Sequence, residues 1–415
     1  MKIERTFFAV GHGGFYVERI EDKVIVFDCG STNKSIINTA IQRAFGDSNV
    51  NIDAIFISHF HMDHINGLAE LLKSHTVYKI FVPYFSKIER LWMLYSIDNK
   101  RDLFEQKFIL DPIKALQEIS CKTTKIIYVK PNSQIINNYD LMNLDDNVIE
   151  GSCIKVLSFW KYIPVYRNEI DQKTKEESEE KLLNKKISSI KKNATDEKLK
   201  EVSWQKEMIP ILKRYLTSDD YNFENDKIVQ CINAGEKKWF KNLLQGILPK
   251  AYDVNMYSMV LYSAPINNCV YSNIGFNVYN ELDHSQTCIP KFRQALIHRL
   301  GCLYFGDYNL LDQEGYDFVK NIYSKYISQL GIIQVPHHGS KKSFNEEIIS
   351  RWQVCIIPAA EKDRNKHPDP ETIKAILDKQ GIIIMLGTTG MDVKDVNELI
   401  VIDNSNNTLL EHYMY

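Results

Sequence analysis

The sequence predicts an α/β protein built of short buried strands and helices. In the first 60 residues, apolar runs such as KVIVFDCGS and IDAIFISH alternate with turn residues, a pattern typical of buried strands. The helical pattern KSIINTAIQRAF separates these two runs. Strand-like runs return after residue 250, and the stretch DPETIKAILDKQG places Pro and Gly where helix ends favour them. The chain therefore begins rich in strands and then alternates strand with helix.

Length and composition indicate a globular protein with a sizeable core. The chain has 415 residues, of which 44% are hydrophobic, and this length suits one elaborated domain or two. Lys and Arg number 51 against 53 Asp and Glu, so the formal net charge is -2. This balance excludes a general electrostatic attraction to nucleic acid or to an anionic membrane. Any affinity for phosphate must come from a local patch.

Cysteine usage and the N-terminal residues predict a cytoplasmic protein. The eight cysteines lie far apart without a Cys-x-x-Cys pair, so we expect reduced and mostly buried thiols. Only four apolar residues follow the charged start, which is too short for a signal peptide. No later stretch approaches the length that spans a membrane, and we therefore expect no membrane association.

Two changes in composition predict the domain organisation. Residues 84–120 are helical and aromatic-rich, and residues 167–201 are a charge-dense run whose acids and lysines balance. This balance favours a solvated helix or helical hairpin over a basic nucleic-acid arm. We predict that residues 1–83 and 251–415 are the two halves of a core. Residues 84–250 are then a largely helical, charged insertion that serves as a lid or as a surface for a protein partner.

The stretch SHFHMDHING, residues 58–67, carries the strongest chemical signal. His59 and His61 are two apart, so in an extended segment their imidazoles point the same way and can bind one metal ion. Asp63 and His64 follow where the chain turns into a helix, which directs them to a second point nearby. Three imidazoles crowded beside a carboxylate are costly to bury without a cation. The loop therefore predicts half of the ligands of a two-metal site.

Further candidate ligands stand at two other strand ends. Asp307 follows the apolar strand CLYF and offers the bridging carboxylate that a binuclear site needs. His337 and His338 follow the strand IIQVP, and adjacent side chains point to different sides, so one of the two should face the metals. We assign His338 as the ligand and His337 to the substrate, with the reverse assignment open.

A basic grouping precedes the last predicted helix. His367 is accompanied by Lys362, Arg364 and Lys366, which suits an anionic substrate, with His367 as proton donor or phosphate ligand. A His-Pro pair can equally end a loop. Ser340 and the backbone amides beside it are further candidates for binding phosphate, together with the three basic side chains.

Two polar residues beside the first strands are assigned supporting roles. Asp28, in FDCGS, is expected to brace the metal loop through hydrogen bonds rather than to bind metal. His12, in VGHGG, is expected to be structural.

Taken together, these residues resemble the metallo-β-lactamase superfamily, whose signature is the His-x-His-x-Asp-His loop. More narrowly, AVGHGGFYVE, SHFHMDHINGL, LYFGDYN, VPHHGS and KHPDP look like the series in the hydrolase domain of competence-type DNA-uptake proteins and their soluble relatives. The resemblance covers most of the chain outside residues 84–250 and 265–297. The chain departs from the narrower group at His61, where that group usually has Asp.

The resemblance implies a four-layer αβ/βα sandwich with two divalent ions, Zn²⁺ or Mn²⁺, in the groove between its sheets. A metal-bridging hydroxide would be the nucleophile. Carried over by position, the ligands would be His59 and His61 on the first ion, Asp63 and His64 on the second, Asp307 between them, and His338 or His337 completing the second. The remaining histidine on the first ion has no evident counterpart in this sequence. His284 and His298 stand in the right part of the chain, and water completing that ion is the alternative.

The function we expect is metal-dependent hydrolysis of a phosphodiester in nucleic acid or in a nucleotide. Asp63, His337 and His367 are the candidate catalytic residues. A second hypothesis keeps the metals but hydrolyses an acyl bond, such as a lactone or thioester. A third is a non-catalytic scaffold in which residues 84–250 bind a partner and the metals stabilise the fold.

Overall fold

The structure is a computed structural model of the chain. It describes residues 2–96, 102–119, 123–131, 138–144, 147–149, 151–167, 181–182, 184–185, 188, 202–217, 228–230, 244, 257–266, 274–280, 285–288, 299–359, 367–387 and 397–404.

The chain divides into two compact units. The first comprises Met1–Pro83, Thr123–Arg167 and Asn255–Tyr415, and the second comprises Tyr84–Lys122 and Asn168–Val254. The prediction placed residues 84–250 in one insertion, whereas the strands β8 to β12, within Thr123–Arg167, fall in the first unit. These strands are short and separated by polar turns, so their alternation is weak in the sequence.

The strands are β1 Lys2–Phe7, β2 Gly13–Ile20, β3 Lys23–Ser31, β4 Asn51–Ile52, β5 Ala54–Phe56, β6 Thr76–Val77, β7 Lys79–Pro83, β8 Lys125–Lys130, β9 Asn138–Asp140, β10 Val148–Ile149, β11 Cys153–Val156, β12 Trp160–Val165, β13 Val260–Pro265, β14 Ile274–Asn280, β15 Ser285–Cys288, β16 Gly301–Tyr304, β17 Leu330–Gln334, β18 Val354–Pro358, β19 Ile382–Leu386 and β20 Asn397–Asn404. The helices are α1 Lys34–Phe45, α2 Met62–Ile65, α3 Leu68–Ser74, α4 Lys87–Ser96, α5 Leu103–Leu110, α6 Pro112–Glu118, α7 Val202–Thr217, α8 Gln313–Tyr323 and α9 Pro370–Asp378, with 3₁₀ turns at Ser324–Gln329, Pro336–Gly339 and Glu346–Ile348. Helices α4 to α7 belong to the second unit.

Two large sheets form the first unit. The first has the order β10-β8-β7-β5-β3-β2-β1-β20-β14-β15, and the second has the order β19-β18-β17-β16-β13-β12-β11-β9. Neighbours from β3 to β10 in the first sheet, and from β16 to β19 in the second, run parallel. The parallel strands β3, β5, β7, β16, β17 and β18 are buried almost throughout, which explains why their sequences are largely apolar.

The two sheets pack face to face, with helices on their outer sides. Phe27 of the first sheet stacks on Tyr304 of the second, with ring centroids 4.9 Å apart. Helix α1 packs on the first sheet through Phe45, whose ring meets Phe15 of β2. Helices α8 and α9 pack on the outer face of the second sheet, for example through Val319. This is the four-layer αβ/βα sandwich that was predicted.

The described residues also bear on the expected thiols and on membranes. Among the cysteines whose side chains the structure describes, Cys29, Cys153, Cys302 and Cys355 are free thiols. None of the helices that the structure describes has both the length and the apolar character needed to span a membrane. The cytoplasmic location stays a prediction.

Candidate metal centre

The candidate ligands meet where parallel strands of the two sheets end. The histidine-rich loop follows β5 and enters α2, Asp307 follows β16, and His338 follows β17. Two groups of side chains have ligand atoms within 4.8 Å of one another: His59, His64 and Asp307 in the first, and Asp63, His64 and His338 in the second. His64 is common to both, so the two groups form one continuous cluster.

The spacing within the cluster suits a shared cation. Asp307 Oδ1 lies 3.4 Å from His64 Nε2 and 3.7 Å from His338 Nε2, and Asp307 Oδ2 lies 3.8 Å from His59 Nε2. Asp63 Oδ2 lies 3.6 Å from His338 Nε2. Two ligand atoms held at about 2.1 Å by a tetrahedral ion are about 3.4 Å apart, so small shifts would place these atoms around a metal.

Three polar atoms of the cluster are buried and make no hydrogen bond to the described part of the chain. They are His59 Nε2, His64 Nε2 and Asp307 Oδ1. Burying a polar atom without a partner is unfavourable, and nearly all such atoms in folded proteins are satisfied. Imidazole nitrogens and carboxylate oxygens are ligands that Zn²⁺ and Mn²⁺ accept, so the residues present fit a divalent ion.

Hydrogen bonds to the far side of each imidazole orient the ligands. His64 Nδ1 donates to Asp28 Oδ2 at 2.7 Å, and the Ser58 backbone N–H donates to Asp28 Oδ1 at 2.6 Å. His338 Nδ1 donates to the Pro358 carbonyl at 2.9 Å. The bonds made by His64 and His338 place the proton of each ring on Nδ1 and leave the Nε2 lone pair facing the cluster. Asp28 thus makes the bracing contacts predicted for it.

The electrostatics of the cluster favour a cation. Burial and the neighbouring imidazoles of His64 and His61 lower the pKa of His59 well below its usual value, so this ring is neutral, as a ligand must be. Burial raises the pKa of Asp307, but the imidazoles of His338 and His64 outweigh burial and hold that pKa well below its usual value. Burial lowers the pKa values of His64 and His338, but the surrounding carboxylates outweigh burial and raise both above the usual value. A divalent ion bound by these two imidazoles would therefore displace protons from them.

The turn that carries Asp307 depends on glycine at position 306. Gly306 has a φ of 55°, and a Cβ atom there would lie 2.6 Å from Ser58 Cβ. Ser58 immediately precedes His59, so the missing side chain lets the Asp307 turn approach the histidine-rich loop.

Replacing Gly306 with alanine is expected to destabilise the fold by about 1–3 kcal/mol more than Gly46→Ala, because the added methyl group overpacks this contact. Gly46 is a matched control, since its φ is also positive, at 68°, but a Cβ there would meet no atom within 4 Å. Urea midpoints of both variants measure the difference. Equal midpoints would contradict the close approach between Gly306 and Ser58.

The other histidines of the predicted site lie around the cluster. His61 is half-buried, with its ring centroid 4.6 Å from that of His59, but it is in neither ligand group found among the described residues. His337 is likewise outside both groups. Its Nε2 lies 3.9 Å from Asp307 Oδ2 and its side chain is 29% exposed, whereas His338 is buried within the cluster. His338 thus lies with the candidate ligands, and its assignment as the ligand stays a prediction.

The structure describes some of the residues that were predicted to contact the substrate. The ring of His367 lies 6.0 Å from that of His337, and its Nδ1 lies 3.5 Å from Asp369 Oδ2. The Ser340 backbone N–H already donates to the His337 carbonyl at 2.9 Å, so this amide is not free for phosphate. Several predicted residues lie outside those that the structure describes: Lys362, Arg364, Lys366, His284 and His298.

His12, which was expected to be structural, lies beside two histidines of the candidate site. Its ring stacks on that of His338, with centroids 4.5 Å apart and planes 10° apart, and it is 6.2 Å from the ring of His367. The sequence feature that could have indicated this placement is the position of His12 after the first strand, β1. Because β1 and β3 both run antiparallel to β2, their carboxyl ends lie at the same edge of the sheet.

Comparisons with known proteins agree with this architecture. Residues 14–101 match the family model described as the metallo-beta-lactamase superfamily. Among curated proteins, none matches the chain significantly. The narrower likeness to competence-type hydrolase domains stays a prediction.

Three solved structures are similar to part of the chain. The short form of human tRNase Z has a TM-score of 0.24 and 14% identity, and the match covers 39% of this chain and 60% of that structure. YhfI from Bacillus subtilis, a metallo-beta-lactamase fold protein, has a TM-score of 0.22 and 14% identity, and the match covers 40% of this chain and 52% of that structure. A diphosphatase from the PhnP family has a TM-score of 0.23 and 11% identity, and the match covers 40% of this chain and 59% of that structure. The chain thus spans less than two thirds of each structure, and likenesses this low say nothing of substrate.

Proposed function

The chain contains a metallo-β-lactamase superfamily domain, and on this premise we propose that the protein is a metal-dependent hydrolase that cleaves phosphodiester bonds in nucleic acid or in a nucleotide. The observation that carries the proposal is the arrangement at Asp307. Its carboxylate faces the Nε2 atoms of ligand histidines on one side and that of the half-exposed His337 on the other. Metal ligands and a candidate proton donor thus share one carboxylate.

We assign two divalent ions to the cluster. Asp63, His64 and His338 would hold one ion, and His59 would hold its neighbour with His61 beside it. Asp307 would lie between the two ions, within reach of both sets. Such ions, Zn²⁺ or Mn²⁺, polarise a phosphoryl oxygen and lower the pKa of water, to about 7 for zinc.

His337 is the residue we assign to the leaving group. Its Nδ1 is held 3.0 Å from Ser343 Oγ, which fixes the ring, and its exposed side leaves Nε2 accessible to a substrate oxygen. His367, at 6.0 Å between ring centroids, is close enough to share that substrate. The basic side chains of Lys362, Arg364 and Lys366 would supply the local positive charge that a chain of formal net charge -2 otherwise lacks.

Hydrolysis of bis(p-nitrophenyl) phosphate tests the proposal. Protein stripped with a chelator is expected to be inactive, and to regain turnover when Zn²⁺ or Mn²⁺ is added. Asp63→Ala should lose more than about tenfold of that activity, because it removes a ligand that faces His338. Metal analysis of the purified chain should find two ions.

Other outcomes distinguish the remaining hypotheses. Metal-dependent turnover of a thioester or lactone, with none of the phosphodiester, would make the protein an acyl hydrolase. Two bound ions without turnover of either substrate would favour a scaffold with structural metals, in which the region 84–250 binds a protein partner. Failure to bind either metal would reject the proposal as a whole.

A further inference from the structure

Gln334, the last residue of β17, joins the two turns that carry Asp307 and His338. Its side-chain oxygen accepts from the backbone N–H groups of Phe305 and Gly306, at 2.7 and 2.8 Å. Its side-chain nitrogen donates to the carbonyls of Val335 at 2.7 Å and Gly306 at 3.3 Å. Gln334 is only 2% exposed, so these contacts lie in the interior, where their loss could not be replaced by bulk water.

Both turns adopt backbone conformations that need such support. Gly306 has a φ of 55°, and His337 and His338 have φ of 46° and 55°. Non-glycine residues in this left-handed region are strained and persist only where the surroundings hold them. The His337 N–H donates to the Gly306 carbonyl at 3.0 Å, so the two turns also touch directly. Gln334 therefore braces a junction of strained segments immediately beside the candidate ligands.

We propose that Gln334 is a positioning residue that sets the placement of Asp307 relative to His338 for metal binding. The inference rests on the proposed function, because it takes these two residues as ligands. Only an amide side chain can accept from two N–H groups and donate to carbonyls at once. Methionine has a similar length and neither capacity, and glutamate as a carboxylate accepts but does not donate.

Gln353 offers a matched control in the same sheet. It is fully buried, accepts from the Ser350 N–H at 2.9 Å and donates to the Leu330 carbonyl at 3.0 Å. It therefore links the amino ends of β17 and β18, whereas Gln334 links the carboxyl ends of β16 and β17. Replacing either glutamine with methionine removes buried hydrogen bonds, four at Gln334 and two at Gln353. Only Gln334 borders the candidate metal centre.

The experiment is a Zn²⁺ titration against a chromophoric chelator at a temperature where circular dichroism shows each variant folded. Gln334→Met is expected to weaken Zn²⁺ binding by about 10–100-fold, the loss typical when a partner that orients a metal ligand is removed. Gln353→Met should lower the melting temperature yet keep wild-type affinity. Gln334→Glu, which retains the acceptor, should bind more tightly than Gln334→Met.

The possible results separate this inference from the function on which it rests. Wild-type Zn²⁺ affinity in Gln334→Met would overturn the positioning role alone, as would equal losses of affinity in both methionine variants. A wild-type protein that binds no metal would overturn the proposed function and this role together. Amide hydrogen exchange adds a readout without metal, because the Phe305 and Gly306 amides lose their acceptor in Gln334→Met and should exchange faster there. Unchanged exchange in Gln334→Met would contradict the brace.

Discussion

Replacing Asp307 with alanine is expected to abolish metal-dependent hydrolysis, with a loss of more than about 100-fold. Removing a group that only orients a ligand can already cost 10–100-fold, and we propose Asp307 as a ligand itself. Its carboxylate oxygens lie 3.4 to 3.9 Å from the Nε2 atoms of four histidines: His59, His64, His337 and His338. Without this carboxylate, the four imidazoles would lose the negative charge that they share. Turnover of bis(p-nitrophenyl) phosphate and Zn²⁺ affinity measure the loss.

Asp53→Ala is the matched control for this variant. Asp53 is as buried as Asp307, but its carboxylate accepts from the Val24 N–H at 2.9 Å and pairs with Lys23 at the other end of the strands. Its removal should reduce stability and leave metal binding unchanged. If Asp307→Ala does not fold, Asp307→Asn keeps the shape and still removes the charge. Wild-type turnover in a folded Asp307 variant would refute our ligand assignment.

The sequence predicted the candidate site from residues that follow apolar runs, and the fold explains why several of these residues lie close together. Asp307 and His338 follow apolar runs that became β16 and β17, and parallel neighbours bring their carboxyl ends to one edge. The stacking of His12 on His338 brings together the β1–β2 turn and the segment after β17, a contact that no local pattern encodes. The hydrogen bonds of Gln334 likewise depend on the β16–β17 register, which is a tertiary property.

The sequence predicted the fold class more closely than it predicted the bounds of the two units. The apolar runs of β3 and β5 and the periodicity of α1 are local signals that were recognised. The strands within Thr123–Arg167 were assigned to an insertion because pieces of two to six residues carry little periodicity. Their pairing with β7 and β13 comes from long-range contacts that composition does not reveal.

The first sheet carries a buried ion pair on the face that packs against the second sheet. Arg5 and Glu18 are cross-strand partners in β1 and β2, and Arg5 Nε donates to Glu18 Oε1 at 2.6 Å. Glu18 also accepts from Ser263 Oγ at 2.6 Å and from Tyr304 Oη at 2.7 Å, both on the second sheet. Tyr162 Oη donates to it as well. This carboxylate therefore ties the first sheet to three strands of the second.

Glu18→Ala is expected to destabilise the protein by about 3–5 kcal/mol, because it leaves the buried Arg5 guanidinium without its counter-charge. Glu347→Ala is the control: Glu347 Oε1 lies 2.6 Å from Lys379 Nζ, the same separation, but this pair is exposed at the surface. Its loss should change stability by less than about 1 kcal/mol. Urea unfolding of both variants gives the comparison, and similar small effects would show that the buried Arg5–Glu18 pair contributes little.

The pH dependence of the same pair supplies an independent check. Burial raises the pKa of Glu18, but the Arg5 charge and the hydroxyl donors outweigh burial and hold that pKa below its usual value. A carboxylate whose pKa is lower in the folded state stabilises the protein above the unfolded pKa of about 4.3, and this contribution is lost as pH falls through the folded value. Glu18→Gln cannot ionise, so the stability gap between wild type and this variant should be constant near neutral pH and narrow below about pH 4. A gap that stays constant into acid would mean that Glu18 is not held as a carboxylate by Arg5, and the inter-sheet tie would then have to come from neutral hydrogen bonds alone.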